Sequence, residues 1–124
     1  MRLSFQTLII AAFFVAGCSG ISKSNLIGKW QAVTLIENDK KQVIDLSEVG
    51  LEFNKDGGYR YTGTLNYSES GYFDMNKDLL FTIDTINNGS SEKTVQILQL
   101  SSDTLKIKMQ EANNVRVIHY LKKG

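Results

Sequence analysis

The side chains that could do chemistry in this sequence are few and far apart. Cys18 is the only cysteine, His119 is the only histidine, and thirteen carboxylates are scattered among fourteen lysines and arginines. A single histidine without cysteines or clustered carboxylates makes a poor metal site, and no nucleophile stands at a readable spacing from it. No pair of carboxylates can be singled out for acid–base work. The sequence therefore predicts a protein that is not an enzyme, with no catalytic residue, no metal and no other cofactor.

Cys18 is the one side chain whose surroundings point to a reaction. A cysteine reacts as its thiolate, which is a strong nucleophile, and the small residues Ala16 and Gly17 precede this one. The residues before it have the layout of a secretory signal, with a basic start at Arg2, an apolar middle and a small-residue end. The apolar run is shorter than the ~20 residues that a membrane-spanning helix needs. We predict that residues 1–17 are a signal peptide.

Val15-Ala16-Gly17-Cys18 closely resembles the lipobox of bacterial lipoproteins. The resemblance implies that the Cys18 thiol receives a diacylglycerol, that the signal is cut before Cys18, and that the new amine is acylated. Such a terminus anchors firmly, whereas one acyl chain anchors only marginally. The expected partner is a membrane of the bacterial cell envelope, and Ser19, where an aspartate would retain the protein at the inner membrane, favours the outer membrane. The alternative is a buried lone cysteine that ends an ordinary signal peptide.

Length and charge limit what the remaining chain can be. The 124 residues have room for one domain. The formal charge of +1, from 14 basic and 13 acidic residues, becomes zero when Arg2 leaves with the signal. A neutral domain with interspersed charges offers no basic stripe for phosphates, which argues against nucleic-acid binding. With one cysteine, the domain forms no internal disulfide and depends on its hydrophobic core.

The elements that must position any site are short strands. Residues 18–25 are polar and rich in glycine and serine, which predicts a flexible tether. From residue 26 onward, runs of β-forming residues alternate with turn clusters such as Asp56-Gly57-Gly58. The predicted strands cover residues 29–37, 42–46, 51–54, 59–67, 71–75, 79–84, 94–100, 104–110 and 115–122.

Alternation within the strands predicts which side chains face the interior. In the last predicted strand we assign to the interior the set Val115, Val117, His119 and Leu121. His119 is then a ligand contact or, alternatively, a hydrogen-bonded core or rim residue. Strands with one polar face form antiparallel sheets, and many short strands at regular spacing predict an all-β barrel or sandwich.

Gly28-Lys29-Trp30, at the start of the first predicted strand, resembles the first motif of the lipocalins. Segments 51–59, 71–81 and 97–105 are similar to a family of short bacterial lipocalin-like domains. The resemblance implies a small antiparallel up-and-down barrel of about eight strands over residues 26–124, with Trp30 as a structural plug at one end. The Thr-Asp-Tyr second motif of lipocalins is absent. The cation that the family places over the tryptophan could be Arg116 or Lys122.

The aromatic residues of the predicted interior either contact a ligand or fill the barrel, because eight strands enclose just enough space for one or the other. The candidate ligand-binding residues are Phe53, Tyr59, Tyr61, Phe73, Phe81 and His119. The leading hypothesis is a membrane-anchored lipocalin-like lipoprotein that binds a small apolar or amphipathic ligand in the bacterial envelope. The alternative is a filled barrel that acts as a structural or protein-interaction module, with an envelope protein as its partner and no small-molecule ligand.

The tether also predicts an orientation. In lipocalins the first strand begins at the closed end of the barrel, beside the Gly-x-Trp motif. A short tether from Cys18 would therefore place the closed end nearest the bilayer. The open mouth, framed by the turns at residues 38–41 and 87–92, would face away from it.

Overall fold

The computed structural model describes residues 21–87 and 91–124 of the chain. These residues contain nine antiparallel strands and one helical turn. The signal peptide expected over residues 1–17 and the lipidation expected at Cys18 lie outside these residues. The bounds are α1 Lys23–Leu26, β1 Gly28–Glu37, β2 Lys40–Lys41, β3 Gly50–Phe53, β4 Gly58–Thr62, β5 Ser68–Asn76, β6 Leu79–Asp84, β7 Ser91–Leu100, β8 Thr104–Glu111 and β9 Asn114–Lys122. Within these ranges, no helix has the length and apolar character needed to cross a bilayer.

The strands close into a barrel because β1 has neighbours on both sides. Residues 28–31 of β1 pair with β3, and residues 30–37 pair with β9. Every other neighbouring pair from β3 to β9 is a consecutive antiparallel hairpin. The result is the predicted all-β fold, a closed up-and-down barrel of eight strands. The two-residue β2 only extends the far end of β1, where Glu37 pairs with Lys40.

The predicted strand over residues 42–46 is wrong. This segment is an irregular connection outside the sheet, joined to β1 by the bond from the Gln42 amide to the Leu35 carbonyl at 2.8 Å. The Gln31 side chain holds its far end by donating to the carbonyls of Leu46 at 2.9 Å and Val49 at 3.2 Å. Val43 is 98% exposed. Val43 and Ile44 therefore face away from the core, and only Leu46 of this segment packs against it.

The turn between β4 and β5 also differs from the prediction. A strand was expected over residues 59–67, but β4 ends at Thr62, and Leu65 and Asn66 adopt φ of 57° and 62°. These left-handed conformations make a turn rather than a strand, and Leu65 is 92% exposed. The next strand consequently begins earlier than expected, at Ser68, which pairs with Thr62.

One end of the barrel, which we call the closed end, is filled with side chains. It holds the β3–β4, β5–β6 and β7–β8 turns, and α1 packs into it through Leu26, which is fully buried. Phe53 and Phe73 meet edge to face there, with ring centroids 4.9 Å apart. The Lys122 ammonium donates to the carbonyls of Asn25 at 3.2 Å and Ile27 at 2.8 Å. These contacts fix the chain before β1, so the expected tether over residues 18–25 becomes helical from Lys23.

Candidate functional site

The other end of the barrel, the open end, contains a cavity of about 380 Å3. The β4–β5 turn and the ends of β8 and β9 frame it. Its apolar lining consists of Leu51, Phe53, Leu80, Val95, Ile107 and Met109. The volume lies within the ~300–1,000 Å3 that is typical of ligand pockets. The interior is therefore filled at the closed end and hollow at the open end, which differs from the fully filled barrel considered as the alternative.

A buried carboxylate forms one wall of the cavity. Glu69 faces inward from β5 and is 3% exposed. Tyr59 donates to its Oε1 at 2.9 Å, Tyr67 donates to its Oε2 at 2.6 Å, and the Lys93 ammonium forms an ion pair with Oε2. Burial alone would raise the pKa of Glu69, but the bonds from Lys93, Tyr67 and Tyr59 together outweigh it and lower that pKa. The carboxylate is therefore ionised at neutral pH.

The two tyrosines bonded to Glu69 are locked as hydrogen-bond donors. The bond to Glu69, followed by burial, raises the pKa of Tyr67 to about 12. Burial, followed by the bond to the same carboxylate, raises the pKa of Tyr59. Neither hydroxyl ionises at physiological pH, so this cluster keeps one negative and one positive charge, Glu69 and Lys93.

A second ion-pair cluster lies at the rim of the cavity. The Arg116 Nε donates to Glu37 Oε2 at 2.9 Å, and its Nη1 lies 3.6 Å from Glu111 Oε1. The bond to Glu37 is the main reason that the pKa of Arg116 is raised. Because β9 pairs with β1, Arg116 stands directly beside Glu37 and faces into the barrel with it.

Two further tyrosines present unpaired hydroxyls to the cavity. Tyr61 and Tyr120 both line it, and neither hydroxyl bonds to any residue in the described ranges. Tyr120 is 2% exposed. Burial is the main reason that the pKa values of Tyr61 and Tyr120 are raised, and the charge of Glu69 raises the pKa of Tyr61 further. Both are neutral groups that can donate and accept one hydrogen bond from a bound molecule.

Three of the six candidate ligand residues line the cavity, and Phe73 lies next to it. Phe53, Tyr59 and Tyr61 contribute directly to its wall. Phe73 faces inward but belongs to the packed closed end, where it contacts Phe53 and where the Lys23 ammonium lies 5.3 Å from its ring centroid.

Phe81 and His119 do not line the cavity, and the prediction that they face inward is wrong. In β6 the inward residues are Leu80 and Asp84, each 2% exposed, so Phe81 between them points outward. In β9 the inward set contains Arg116 and Tyr120, which places His119 on the outer face, opposite Thr34 and Lys106. The His119 Nε2 is buried without a hydrogen-bond partner among the described residues.

Trp30 lies at the closed end and is 1% exposed. Its indole Nε1 donates to the Leu26 carbonyl at 2.9 Å, and the Lys122 ammonium lies 4.7 Å from its ring centroid. Of the two cations considered for this position, Lys122 occupies it, whereas Arg116 lies at the open end. The tryptophan thus joins α1, β1 and β9 at the base of the barrel.

The sequence patterns did not identify most of the charged and hydroxyl groups of the site. Glu69 lies before the expected start of β5, and Arg116 and Tyr120 belong to the set assigned to the outside of β9. The available signal was that Arg116, Ile118 and Tyr120 also alternate. No group of three or more metal-ligating side chains occurs in the described ranges.

Known proteins resemble this chain in the sequence and fold of the whole domain. A family model described as a lipocalin-like domain matches residues 26–107. Among solved structures, a lipocalin-like protein from Bacteroides uniformis superposes with a TM-score of 0.61 at 17% identity, covering 80% of this chain and 99% of that one. At this identity the likeness shows the fold alone. A search of curated proteins finds no match.

Proposed function

This chain belongs to the lipocalin-like domain family, and from that premise we propose that it binds a small apolar or amphipathic ligand in the cavity at its open end. The observation that carries the proposal is the hollow interior of about 380 Å3. A fold alone does not define a function. A cavity of ligand size with an apolar wall and a few convergent polar groups is the usual form of a binding site.

The lining supports binding rather than catalysis. Leu51, Val95 and Ile107 offer apolar surface, whereas Glu69 and Arg116 are each held in ion pairs. A catalytic group needs a pKa matched to proton transfer near the working pH. The Glu69 carboxyl and the tyrosine hydroxyls have pKa values moved away from neutrality instead. We propose a binding protein without enzymatic activity.

Filling the cavity tests the binding function. N-Phenyl-1-naphthylamine, an apolar dye that fluoresces in dry sites, should bind the native protein, and Val95→Trp should abolish the signal by occupying the cavity. Val43→Trp adds the same side chain at a position that is 98% exposed and should leave dye binding unchanged. Dye binding that is equal in both variants would show that the cavity is not the binding site.

We also propose that a lipid on Cys18 anchors the protein in the bacterial envelope, at the outer membrane. The support is the resemblance of residues 15–18 to a lipobox and the serine that follows. Cys18→Ala should abolish labelling with radioactive palmitate and leave an unprocessed precursor, whereas Ser19→Ala should still be labelled. Labelling that persists in Cys18→Ala would refute the anchor. Density-gradient fractionation of the envelope tests the outer-membrane location.

A further inference from the structure

The charged groups that line the cavity are all engaged with one another. Glu69 receives bonds from Tyr59, Tyr67 and Lys93, which occupy both of its oxygens. At the rim, Arg116 is paired with Glu37 and Glu111. These charges already compensate one another, so a ligand with a charged head would either bring an uncompensated charge into the cavity or separate an existing pair.

Separating the deeper pair is costly. The Glu69 side chain is 4% exposed, so water cannot replace the Lys93 ammonium if a ligand removes it. A buried charge that loses its partner destabilises the protein strongly. Among the residues that line the cavity, the two carboxylates of Glu69 and Glu111 balance the two cations of Lys93 and Arg116, so the lining attracts neither an anion nor a cation by net charge.

The uncommitted polar groups of the cavity are neutral. Tyr120 lies deeper than Arg116, because β9 runs from the open end toward the closed end. Its ring is buried and its hydroxyl has no partner in the described part of the chain. Tyr61 presents a second such hydroxyl to the same space. Among the described residues, the only buried side-chain polar atom without a partner is His119 Nε2, so both tyrosine hydroxyls are accessible from the cavity and can bond to a ligand oxygen.

We infer that the ligand of this cavity is an uncharged amphiphile, with a hydroxyl or carbonyl oxygen that binds the Tyr120 and Tyr61 hydroxyls and an apolar chain that contacts the aliphatic wall. This inference rests on the proposed binding function and names the ligand class. The oxygen enters first, because Tyr120 lies deeper in the barrel than Arg116 at the rim, and the chain follows toward the open end.

A set of eight-carbon compounds that differ only in their polar head tests the inference. 1-Octanol, octanoate and octylammonium compete with N-phenyl-1-naphthylamine for the native protein at neutral pH and constant ionic strength. 1-Octanol should displace the dye at a concentration at least about tenfold lower than either charged compound, since a charged head must lose its hydration in the cavity or break an ion pair, and either costs more than a neutral hydrogen bond contributes.

Tyrosine variants connect this preference to the two hydroxyls. Tyr120→Phe and Tyr61→Phe should each weaken octanol binding by about threefold to tenfold, the effect of one hydrogen bond. Tyr72→Phe removes a hydroxyl from a residue that is 64% exposed and is the matched control. Its octanol affinity should equal that of the native protein.

The outcomes separate this inference from the proposed function. Failure of the native protein to bind the dye overturns both. Dye binding with octanoate or octylammonium as the best competitor, or octanol affinity unchanged in both Tyr120→Phe and Tyr61→Phe, overturns the ligand class and leaves the binding function standing.

Discussion

Glu69 joins parts of the barrel that lie far apart in the sequence. Its three donors come from β4, from the β4–β5 turn and from β7. The carboxylate therefore stabilises one side of the cavity wall as well as contributing to its polarity. Since its pKa is lowered in the folded state, that contribution is present at pH values above the ordinary glutamate pKa of about 4.3 and is lost as the pH falls through the folded-state pKa.

Replacing Glu69 should therefore change how stability depends on pH. Glu69→Gln should unfold more easily at neutral pH, by about 1–3 kcal/mol for a buried donor left unpaired. It should also lose less stability than the native protein as the pH falls from about 5 to about 3. Urea unfolding at a series of pH values measures both effects. Glu48→Gln, at an exposed carboxylate, should keep the native slope. A native slope in Glu69→Gln would contradict this role.

Trp30 belongs to the stability of the closed end rather than to the cavity. Trp30→Ala should lower the free energy of unfolding by about 3–5 kcal/mol, the usual range for removing a large buried aromatic side chain. Circular dichroism is the suitable measurement, because this is the only tryptophan. Tyr72→Ala, at an exposed aromatic residue, should change stability by no more than about 0.5 kcal/mol. Similar losses in the two variants would rule out the plug.

At the scale of elements, β5 and β6 approach closely at a glycine. A Cβ on Gly71 would overlap the Ile83 carbonyl oxygen of the neighbouring strand. Gly71→Ala should therefore cost about 1–3 kcal/mol, the range for overpacking, and each kcal/mol lowers the melting temperature by about 4–8 °C in a domain of this size. Gly124→Ala, where nothing lies within 4 Å, is the control. An unchanged melting temperature for Gly71→Ala would show that the strands can separate there without loss.

The order of the strands could be predicted from the sequence, because turn residues mark the hairpins. Asn38, Asp39 and Lys77 adopt positive φ at turns between predicted strands, and asparagine and aspartate tolerate this conformation better than most residues do. The β6 strand has the predicted bounds, Leu79–Asp84. Consecutive hairpins of this kind place successive strands side by side, and the resemblance to lipocalins implied that the sheet closes into a barrel.

Which face of a strand points inward could not be predicted reliably. In β9 both alternating sets are partly apolar, and the presence of Arg116 argued for the outside. The arginine faces inward because Glu37, far away in the sequence, neutralises it at the rim. In β6 an aromatic residue suggested the interior, yet Phe81 lies on the outer face. The position of Arg116 in the site therefore depends on its ion pair with a residue far away in the sequence, which a single sequence does not reveal.

For the molecule as a whole, α1 determines how the barrel would sit on a membrane. Only four residues lie between Cys18 and Lys23, so the five steps of the tether reach at most about 18 Å at ~3.3–3.6 Å per residue. With a lipid on Cys18, the closed end should lie nearest the bilayer and the cavity should open to the aqueous side. A paramagnetic lipid in the membrane should broaden amide resonances of Gly28 and Trp30 more than those of Ala112 and Asn113.

The matched control for this orientation is the domain without Cys18, mixed with the same vesicles. It should show no gradient of broadening along the barrel. A stronger effect at Ala112 and Asn113 in the lipidated protein would reverse the orientation. The cavity would then face the membrane, and a ligand taken directly from the bilayer would be the better explanation.

The pairing of β1 with β9 has a consequence for the time at which the protein folds. Trp30 pairs with Lys122, so the barrel cannot close until the last strand has been synthesised. Contacts between such distant residues form slowly, because the long loop between them must first be closed at an entropic cost. A nascent chain that lacks β9 has two unpaired barrel edges and stays open. If the proposed signal peptide directs export of the unfolded chain, this delay would keep the polypeptide competent for export until its synthesis is complete.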